Sequence, residues 1–175
     1  GAVGELGAGQ VGAARGAMAD APDPNASLKA LGVAYPVPDG WVRRGEVSLR
    51  TVANRVVVEL GAHRVTVLHG DEVLMQAPVA VGTGRTPTPL GEFFVDGIVP
   101  LRAGGPYGTG QVSVSGFSEV LQSFGGGVGQ IALHGTNRPE LLGQNVSNGC
   151  VRMANESIDQ VMMLAPLGTP VTVVA

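Results

Sequence analysis

Short runs of β-branched residues separated by glycine turns constrain the fold of this chain more than any other feature. RVVVEL (55–60) and RVTVLH (64–69) are followed by EVLMQAPVAVG (72–82), with Gly-Ala-His and Gly-Asp turns between them. β-branched side chains pack well on a pleated sheet, and short runs joined by tight turns are typical of antiparallel strands. Residues 55–82 therefore predict a β-meander.

The strand pattern continues to the end of the chain. GEFFVDGIV (91–99), QVSVSG (111–116), GQIALHGT (129–136) and PVTVVA (170–175) predict four further short strands. Aromatic residues make up 4% of the sequence, so the core must consist of valine, leucine, isoleucine and alanine. The chain also has 28 glycines and 12 prolines, which fits many turns. These features predict a mainly β domain.

The segment NESIDQVMMLA (155–165) predicts a helix, with Asn155 as its N-cap. Pro166 and Gly168 follow directly and would end it. Four apolar residues fall on one face of this helix: Ile158, Val161, Met162 and Ala165. The fold class expected is therefore mainly β with one or two short helices.

The N-terminal region has a different composition. Twelve of the first twenty residues are glycine or alanine, which bury little apolar surface, so residues 1–40 are expected to be a flexible linker or arm. The folded domain is then 41–175, with Trp41 packing at its start. The chain begins at Gly1 rather than Met, and we expect that an upstream export segment has been removed.

The net charge of −3 gives no basic surface for nucleic acid or for anionic lipid. Three histidines and a single cysteine remain as candidate metal ligands, but His63, His69, His134 and Cys150 show no zinc-type spacing. We therefore expect no metal and no organic cofactor. His63 and His69 are interpreted as turn or strand-end residues.

Cys150, in the stretch SNGC (147–150), has two interpretations. A lone cysteine is often a small buried apolar side chain, and Asn-Gly is a common tight turn. The same turn would also present a thiol, because Gly149 lets backbone N–H groups approach a substrate and form an oxyanion hole. A thiol nucleophile needs a base, and His134 lies at the end of a predicted strand.

Several motifs in order resemble one known family. The stretch HGT (134–136) followed by SNGCVRM (147–153) is similar to the signature of the L,D-transpeptidase catalytic domain, also called the YkuD domain. VGTGRTPTPLGEFFV (81–95) resembles its second landmark, and GPYG, SGFS and GTPVTV also fit. The resemblance covers about residues 53–175. One position departs from it: many members have histidine where this chain has Asn148.

The resemblance implies an L,D-transpeptidase-like β-sandwich and a cysteine acyltransferase. Cys150 would attack the third residue of a peptidoglycan tetrapeptide stem, with His134 as general base and then acid. A second stem's amine would capture the thioester and give a 3→3 cross-link. Carbapenem β-lactams would acylate the same cysteine. The protein would be extracytoplasmic, in the periplasm or cell wall, and we expect a monomer.

Further site residues are assigned with alternatives. Ser147 either orients the cysteine loop or His134, or only caps a turn. Arg152 either binds a substrate carboxylate or forms an ion pair with Asp159, Glu156 or Glu140. Tyr107 is either a lid or substrate contact, or a wedge that packs its loop. The remaining candidate site residues are Gly149 for oxyanion stabilisation and Asn148, Thr136 and Asn137 for the cleft.

Two other functions compete with transpeptidation. Water as acceptor would give an L,D-carboxypeptidase. The departure at Asn148 suggests instead a non-catalytic cell-wall binding domain on the same fold. Because a binding module needs neither Cys150 nor His134, their joint presence favours the enzyme.

Overall fold

The computed structural model describes residues 51–121, 123 and 129–175. The predicted arm, residues 1–40, and the packing of Trp41 lie outside the described residues. Nine strands are present: β1 Asn54–Glu59, β2 Arg64–His69, β3 Glu72–Gly82, β4 Gly91–Pro100, β5 Gly110–Phe117, β6 Gln130–His134, β7 Asn145–Ser147, β8 Val151–Met153 and β9 Pro170–Val174. A short 3₁₀ helix, Pro139–Leu141, and one α-helix, α1, Asn155–Leu164, complete the described elements.

The strands form one sheet that closes on itself. Its order is β2-β1-β9-β4-β5-β6-β8-β3-β7, with an additional β2–β3 pairing. Closure depends on the length of β3, which has 11 residues. Its first part pairs with β2, whereas Val79 and Ala80 pair with β8 and the last two residues pair with β7. The mainly β class is thus confirmed, with the strands arranged as a ring.

The predicted meander is confirmed, because β1, β2 and β3 pair antiparallel in sequence order. β1 and β2 turn valines inward in alternation, as the period of two requires, and in β3 the alternating inward residues are Met75, Ala77, Val79 and Val81. The largest fully buried side chains are mostly valines: Val56, Val58, Val65, Val67, Val79, Val95, Val112, Val114 and Val151, with Leu133, Met153 and Ile158. A low-aromatic core of this kind was predicted from the composition.

Helix α1 packs against β5 and β6. Ile158, Val161 and Ala165 are fully buried, and Met162 packs on the same core while half-buried. The predicted apolar face is therefore confirmed. At ten residues, α1 is too short to cross a bilayer, and no other helix in the described ranges is long and apolar enough to do so.

The prediction of Asn155 as N-cap is wrong. The N-cap is Ala154, and no side chain caps the helix. The Asn155 Oδ1 instead accepts the backbone N–H groups of Thr109 (3.3 Å) and Thr136 (3.2 Å). It thereby ties the helix start to the loop before β5 and to the segment after β6. Gly108 and Gly135 allow this, because a Cβ on either would collide with Asn155 Oδ1.

We predict that Asn155→Ala destabilises the domain by about 1–3 kcal/mol, because two backbone N–H groups lose their common acceptor. Asn155→Asp keeps an oxygen in the same place and puts a negative charge in the first helical turn, so its cost should stay below about 1 kcal/mol. Urea unfolding of the two variants and the wild type at pH 7 measures the difference. Equal destabilisation by both substitutions would contradict this account of Asn155.

Candidate active site

A cavity of about 120 Å³ opens where β6, β8 and the loop before β5 meet. Its lining comes from three separate parts of the chain: Pro106, Tyr107, His134, Asn148, Cys150 and Arg152. Strands β6 and β8 pair in parallel, with His134 opposite Arg152 and Leu133 opposite Val151. This pairing brings two segments together that are more than a dozen residues apart in sequence.

His134 ends β6 and is only 4% exposed. Its Nδ1 lies 2.6 Å from the carbonyl oxygen of Gly135. Since a carbonyl can only accept, Nδ1 is the protonated nitrogen and Nε2 is left to accept a proton. Burial lowers the pKa of His134 to about 4, although the Gly135 hydrogen bond opposes this and the Arg152 charge adds to it. The imidazole is therefore neutral at pH 7.

The Tyr107 ring packs on the imidazole, with 4.6 Å between the ring centroids and 51° between the planes. Tyr107 is half-buried and lines the cavity, so it contacts the predicted base directly. Burial raises the pKa of its phenol, with a further contribution from Cys150. Tyr107 thus restricts the ring orientation of His134 and narrows the cavity beside it.

The turn that precedes Cys150 is closed by hydrogen bonds of the Ser147 side chain. The buried Ser147 Oγ donates to the Cys150 carbonyl oxygen (2.5 Å) and accepts the Gly149 N–H (3.0 Å). Gly149 has φ of 113°, a left-handed value that side chains rarely adopt. Both hydrogen bonds lie within residues 147–150, so Ser147 caps this turn, and a further role in orienting the cysteine loop or His134 stays a prediction.

The segment with the TPTP sequence supports the same turn from the other side. The Ser147 carbonyl accepts Thr86 Oγ1 (3.0 Å) and the Thr83 N–H (3.2 Å). Thr83 and Thr86 also join to each other, through the Thr86 N–H to the Thr83 carbonyl (3.1 Å). The second sequence landmark, residues 81–95, therefore contains a loop that is hydrogen-bonded to Ser147 in the turn before Cys150.

The Cys150 thiol is reduced and half-buried. Burial raises its pKa above the usual range, while a hydrogen bond from the Ala132 backbone and the Arg152 charge act in the opposite direction. With the pKa of His134 at about 4, both groups are uncharged at neutral pH. The resting site thus holds a thiol beside a neutral imidazole rather than a thiolate–imidazolium pair.

The predicted oxyanion donors differ in availability. The Gly149 N–H is donated to Ser147 Oγ at 3.0 Å, and its service to a substrate oxygen stays a prediction. No acceptor for the Cys150 N–H is found within 51–121, 123 and 129–175. Cys150 can therefore offer both its thiol and its backbone N–H.

Three of the four predicted substrate-binding residues line the cavity: Arg152, Asn148 and Tyr107. Thr136 does not line the cavity. It is buried, and its Oγ1 accepts the Arg138 N–H at 3.0 Å, so the hydroxyl closes the turn after β6. Asn137, also expected in the cleft, is exposed and donates to the Gly104 carbonyl at 3.5 Å. The sequence analysis did not assign Pro106 to the site, although it lies in the GPYG motif beside Tyr107.

The predicted alternative for Arg152, an ion pair with a nearby carboxylate, is not formed among the described residues. Glu140 pairs with Arg138 at 3.1 Å, and Asp159 accepts Thr109 Oγ1 at 2.7 Å. The Arg152 guanidinium therefore faces the cavity without a carboxylate to neutralise it.

The two other histidines lie away from the cavity, as expected. His63 is in the turn between β1 and β2, with φ of 48°, and contacts Asn145 Oδ1 at 2.6 Å. His69 ends β2 and contacts Asn54 Oδ1 at 2.8 Å. Within the described ranges, no three His, Cys, Asp or Glu side chains are close enough to hold a metal ion.

Comparison with known proteins identifies relatives of this domain. The family model of the L,D-transpeptidase catalytic domain (YkuD) matches residues 53–173. The YkuD protein of Bacillus subtilis (strain 168) is 34% identical over 123 residues, which are 70% of this chain and 67% of that protein.

Solved structures share the fold. LD transpeptidase LdtMt1 in complex with imipenem matches with a TM-score of 0.53 and 22% identity, over 70% of this chain and 59% of that one. L,D-transpeptidase 3 from Mycobacterium tuberculosis, with a faropenem-derived adduct, matches with a TM-score of 0.55 and 18% identity, over 70% and 60%. This chain thus spans about three-fifths of each of these structures.

The depressed pKa of His134 predicts a pH-dependent stability. Between pH 6.5 and about 4 the unfolded chain binds a proton at His134 that the folded chain does not. This stability is therefore present above pH 6.5 and lost as the pH falls toward 4, by about 2–3 kcal/mol between pH 7 and 4.5. Urea unfolding at both values should show a steeper loss for wild type than for His134→Gln. Parallel losses would contradict the buried neutral imidazole.

The uncharged resting pair predicts how Cys150 reacts with iodoacetamide. The alkylation rate should rise continuously as the pH passes the ordinary cysteine range near 8.5, because only the thiolate is nucleophilic. Mass spectrometry of the alkylated protein at fixed times measures the rate at each pH, with Cys150→Ala as the unreactive control. A rate that is high and flat from about pH 5 would instead show a preformed thiolate–imidazolium pair.

Proposed function

The chain belongs to the L,D-transpeptidase catalytic domain family, and from this premise we propose that it is a peptidoglycan L,D-transpeptidase that uses Cys150 as nucleophile and His134 as base. One observation carries the proposal. Cys150 and His134 line the same cavity, and the Gly135 hydrogen bond leaves His134 Nε2 as the proton acceptor. The expected donor is a tetrapeptide stem.

In the first step, the Cys150 Sγ attacks the L-centred carbonyl carbon of the third stem residue. Because thiol and imidazole start uncharged, the S–H proton passes to His134 Nε2 as the S–C bond forms. The carbonyl oxygen becomes an oxyanion, and the Cys150 N–H is the backbone donor available to it. Arg152 adds positive charge nearby as negative charge develops.

The tetrahedral intermediate then loses the terminal D-alanine. The C–N bond breaks, and the His134 imidazolium gives its proton to the departing amine. A cation in a site that lowers its pKa to about 4 is a strong acid, which favours this transfer. The product is a thioester between Cys150 and the shortened stem.

The thioester reacts with a second nucleophile. The side-chain amine of another stem's third residue attacks the acyl carbon, His134 accepts its proton, and the Cys150 thiol is regenerated. The amide formed is a 3→3 cross-link. Water in place of the amine would give a shortened stem and make the protein a carboxypeptidase. The chemistry uses a thiol, an imidazole and backbone N–H groups.

We also propose that carbapenem β-lactams acylate Cys150. Support comes from fold relatives, one of which is in complex with imipenem and another of which holds a faropenem-derived adduct. A β-lactam carbonyl would meet the same thiol, base and backbone donor as the stem. Because peptidoglycan lies outside the cytoplasm, we propose that the protein acts in the periplasm or cell wall. We also propose that it acts as a monomer.

Acylation by imipenem tests the nucleophile. Intact mass of wild type should increase by one adduct, and Cys150→Ala should gain none. His134→Gln keeps the thiol but loses the base, so its acylation rate should fall about 10²- to 10⁴-fold. An adduct on Cys150→Ala, or equal rates for wild type and His134→Gln, would contradict the assigned roles.

Products from purified tetrapeptide stems test the reaction. We expect release of D-alanine and a 3→3 linked dimer, with neither formed by Cys150→Ala. Tripeptide without dimer would identify a carboxypeptidase instead. Stem binding that is unchanged in Cys150→Ala, with no D-alanine released by the wild type, would identify the non-catalytic binding domain suggested by Asn148.

A further inference from the structure

Tyr107 lies in the loop of residues 101–109, which connects β4 to β5. Residues 101–104 and 106 are exposed, and the loop contains three glycines. Two of them, Gly104 and Gly108, have left-handed φ values of 105° and 60°. A loop with little burial and much backbone freedom does not hold its own conformation firmly, so its position depends on contacts with other elements.

Thr109, the last residue of this loop, joins it to α1. Its Oγ1 donates to Asp159 Oδ1 at 2.7 Å and lies 3.3 Å from the Asn155 carbonyl oxygen. Its backbone N–H donates to Asn155 Oδ1 at 3.3 Å. Within the described ranges, the loop's other hydrogen bond to a distant segment is exposed and 3.5 Å long, from Asn137 to Gly104. Thr109 is therefore the firmest attachment of the loop.

The attachment is rigid because α1 is anchored in the core. Ile158 and Val161, on the same helix, have no exposed surface. Gly108, between Thr109 and Tyr107, packs directly on the start of the helix, because a Cβ there would collide with Asn155 Oδ1. The backbone next to Tyr107 is thus fixed relative to the core through α1.

The fixed end of the loop carries the ring that covers the base. Tyr107 is two residues before Thr109, and its ring centroid lies 4.6 Å from that of His134. A continuous series of contacts therefore leads from α1 through Thr109 and Tyr107 to the imidazole.

We infer that Thr109, held by Asp159 and Asn155, is a positioning residue that keeps the Tyr107 ring on His134. The inference rests on the proposed function and adds to it the support of the base. Thr109 does not line the cavity, so it acts through Tyr107 rather than on the substrate. With the ring in place, the imidazole is shielded from water and keeps one orientation, as a general base requires.

The pKa of His134 reports whether the ring is in place. The titratable and charged side chains on the elements around His134 are Tyr107, Cys150 and Arg152 at the cavity, and Glu156 and Asp159 on α1. Strand β5, which also pairs with β6, contributes none. Burial is the largest cause of the lowered pKa of His134. Removal of the ring would return water to the imidazole and raise this pKa.

The first experiment follows the imidazole C–H resonances of His134 by NMR between about pH 3.5 and 8. Wild type should titrate at about 4. Thr109→Val has the same shape without the hydroxyl, so the pKa of His134 should rise toward the ordinary value of about 6.5. Thr109→Ser keeps the hydroxyl and should leave the pKa near the wild-type value. His63 and His69, which lie away from the cavity, are internal references and should not change.

Thr172→Val is the matched control for a loss of stability. Thr172 Oγ1 also donates to a half-buried carboxylate at 2.7 Å, that of Glu92, but it joins β9 to β4 and does not line the cavity. The two valine variants should lower the urea midpoint of unfolding by similar amounts, and only Thr109→Val should raise the pKa of His134. Equal pKa shifts in both variants would show a general loosening of the domain and would overturn the inference.

A double-mutant cycle tests the route through Tyr107. Tyr107→Ala should raise the pKa of His134 at least as far as Thr109→Val does. Adding Thr109→Val to Tyr107→Ala should then cause no further change, because the ring through which Thr109 acts is already absent. If the two shifts add, Thr109 acts on His134 by another route and the inference is overturned.

Acylation by imipenem links the position of the ring to reactivity. Thr109→Val should be acylated about 10- to 100-fold more slowly than wild type at about pH 5.5, because its imidazole is misaligned and partly protonated. Thr109→Ser and Thr172→Val should keep the wild-type rate. A wild-type rate in Thr109→Val would overturn the inference. Failure of the proposed function looks different: wild type would form no adduct, while the pKa of His134 still depended on Thr109.

Discussion

The parallel pairing of β6 with β8 is the contact on which the site depends. It joins two short strands, five and three residues long, and sets His134 opposite Arg152. Short parallel strands are weak alone, so the closed ring must hold them. On the side away from β6, β8 pairs with β3, and β6 is packed against α1. Both short strands are therefore held by longer elements.

A second layer of hydrogen bonds fixes the loops that carry the functional groups. The Ser147 hydroxyl closes the turn before Cys150 through its bonds to Gly149 and Cys150, and the Thr86 hydroxyl donates to the Ser147 carbonyl of the same turn. Asn155 ties the loop that carries Tyr107 to the segment after His134. Most of these hydrogen bonds are part-buried and the one between Ser147 and Gly149 is buried, so together they hold the thiol, imidazole and aromatic ring in their relative positions.

Burial decides the chemistry of this arrangement. It lowers the pKa of His134 to about 4 and raises that of Cys150, so both side chains are uncharged at pH 7. Arg152 lines the same cavity and forms no ion pair with a carboxylate of the described residues.

The sequence by itself determined the mainly β class, the meander and the apolar face of α1. Period-two valine runs and tight turns are local signals, and local sterics suffice to interpret them. The choice of Cys150 and His134 came instead from the resemblance of several ordered motifs to one family. Only the tertiary structure decided that Asn155 bridges loops rather than caps its helix, that Thr136 closes a turn, and that the Gly149 N–H is occupied. Each of these is a choice of hydrogen-bond partner between segments distant in sequence, which no local pattern specifies.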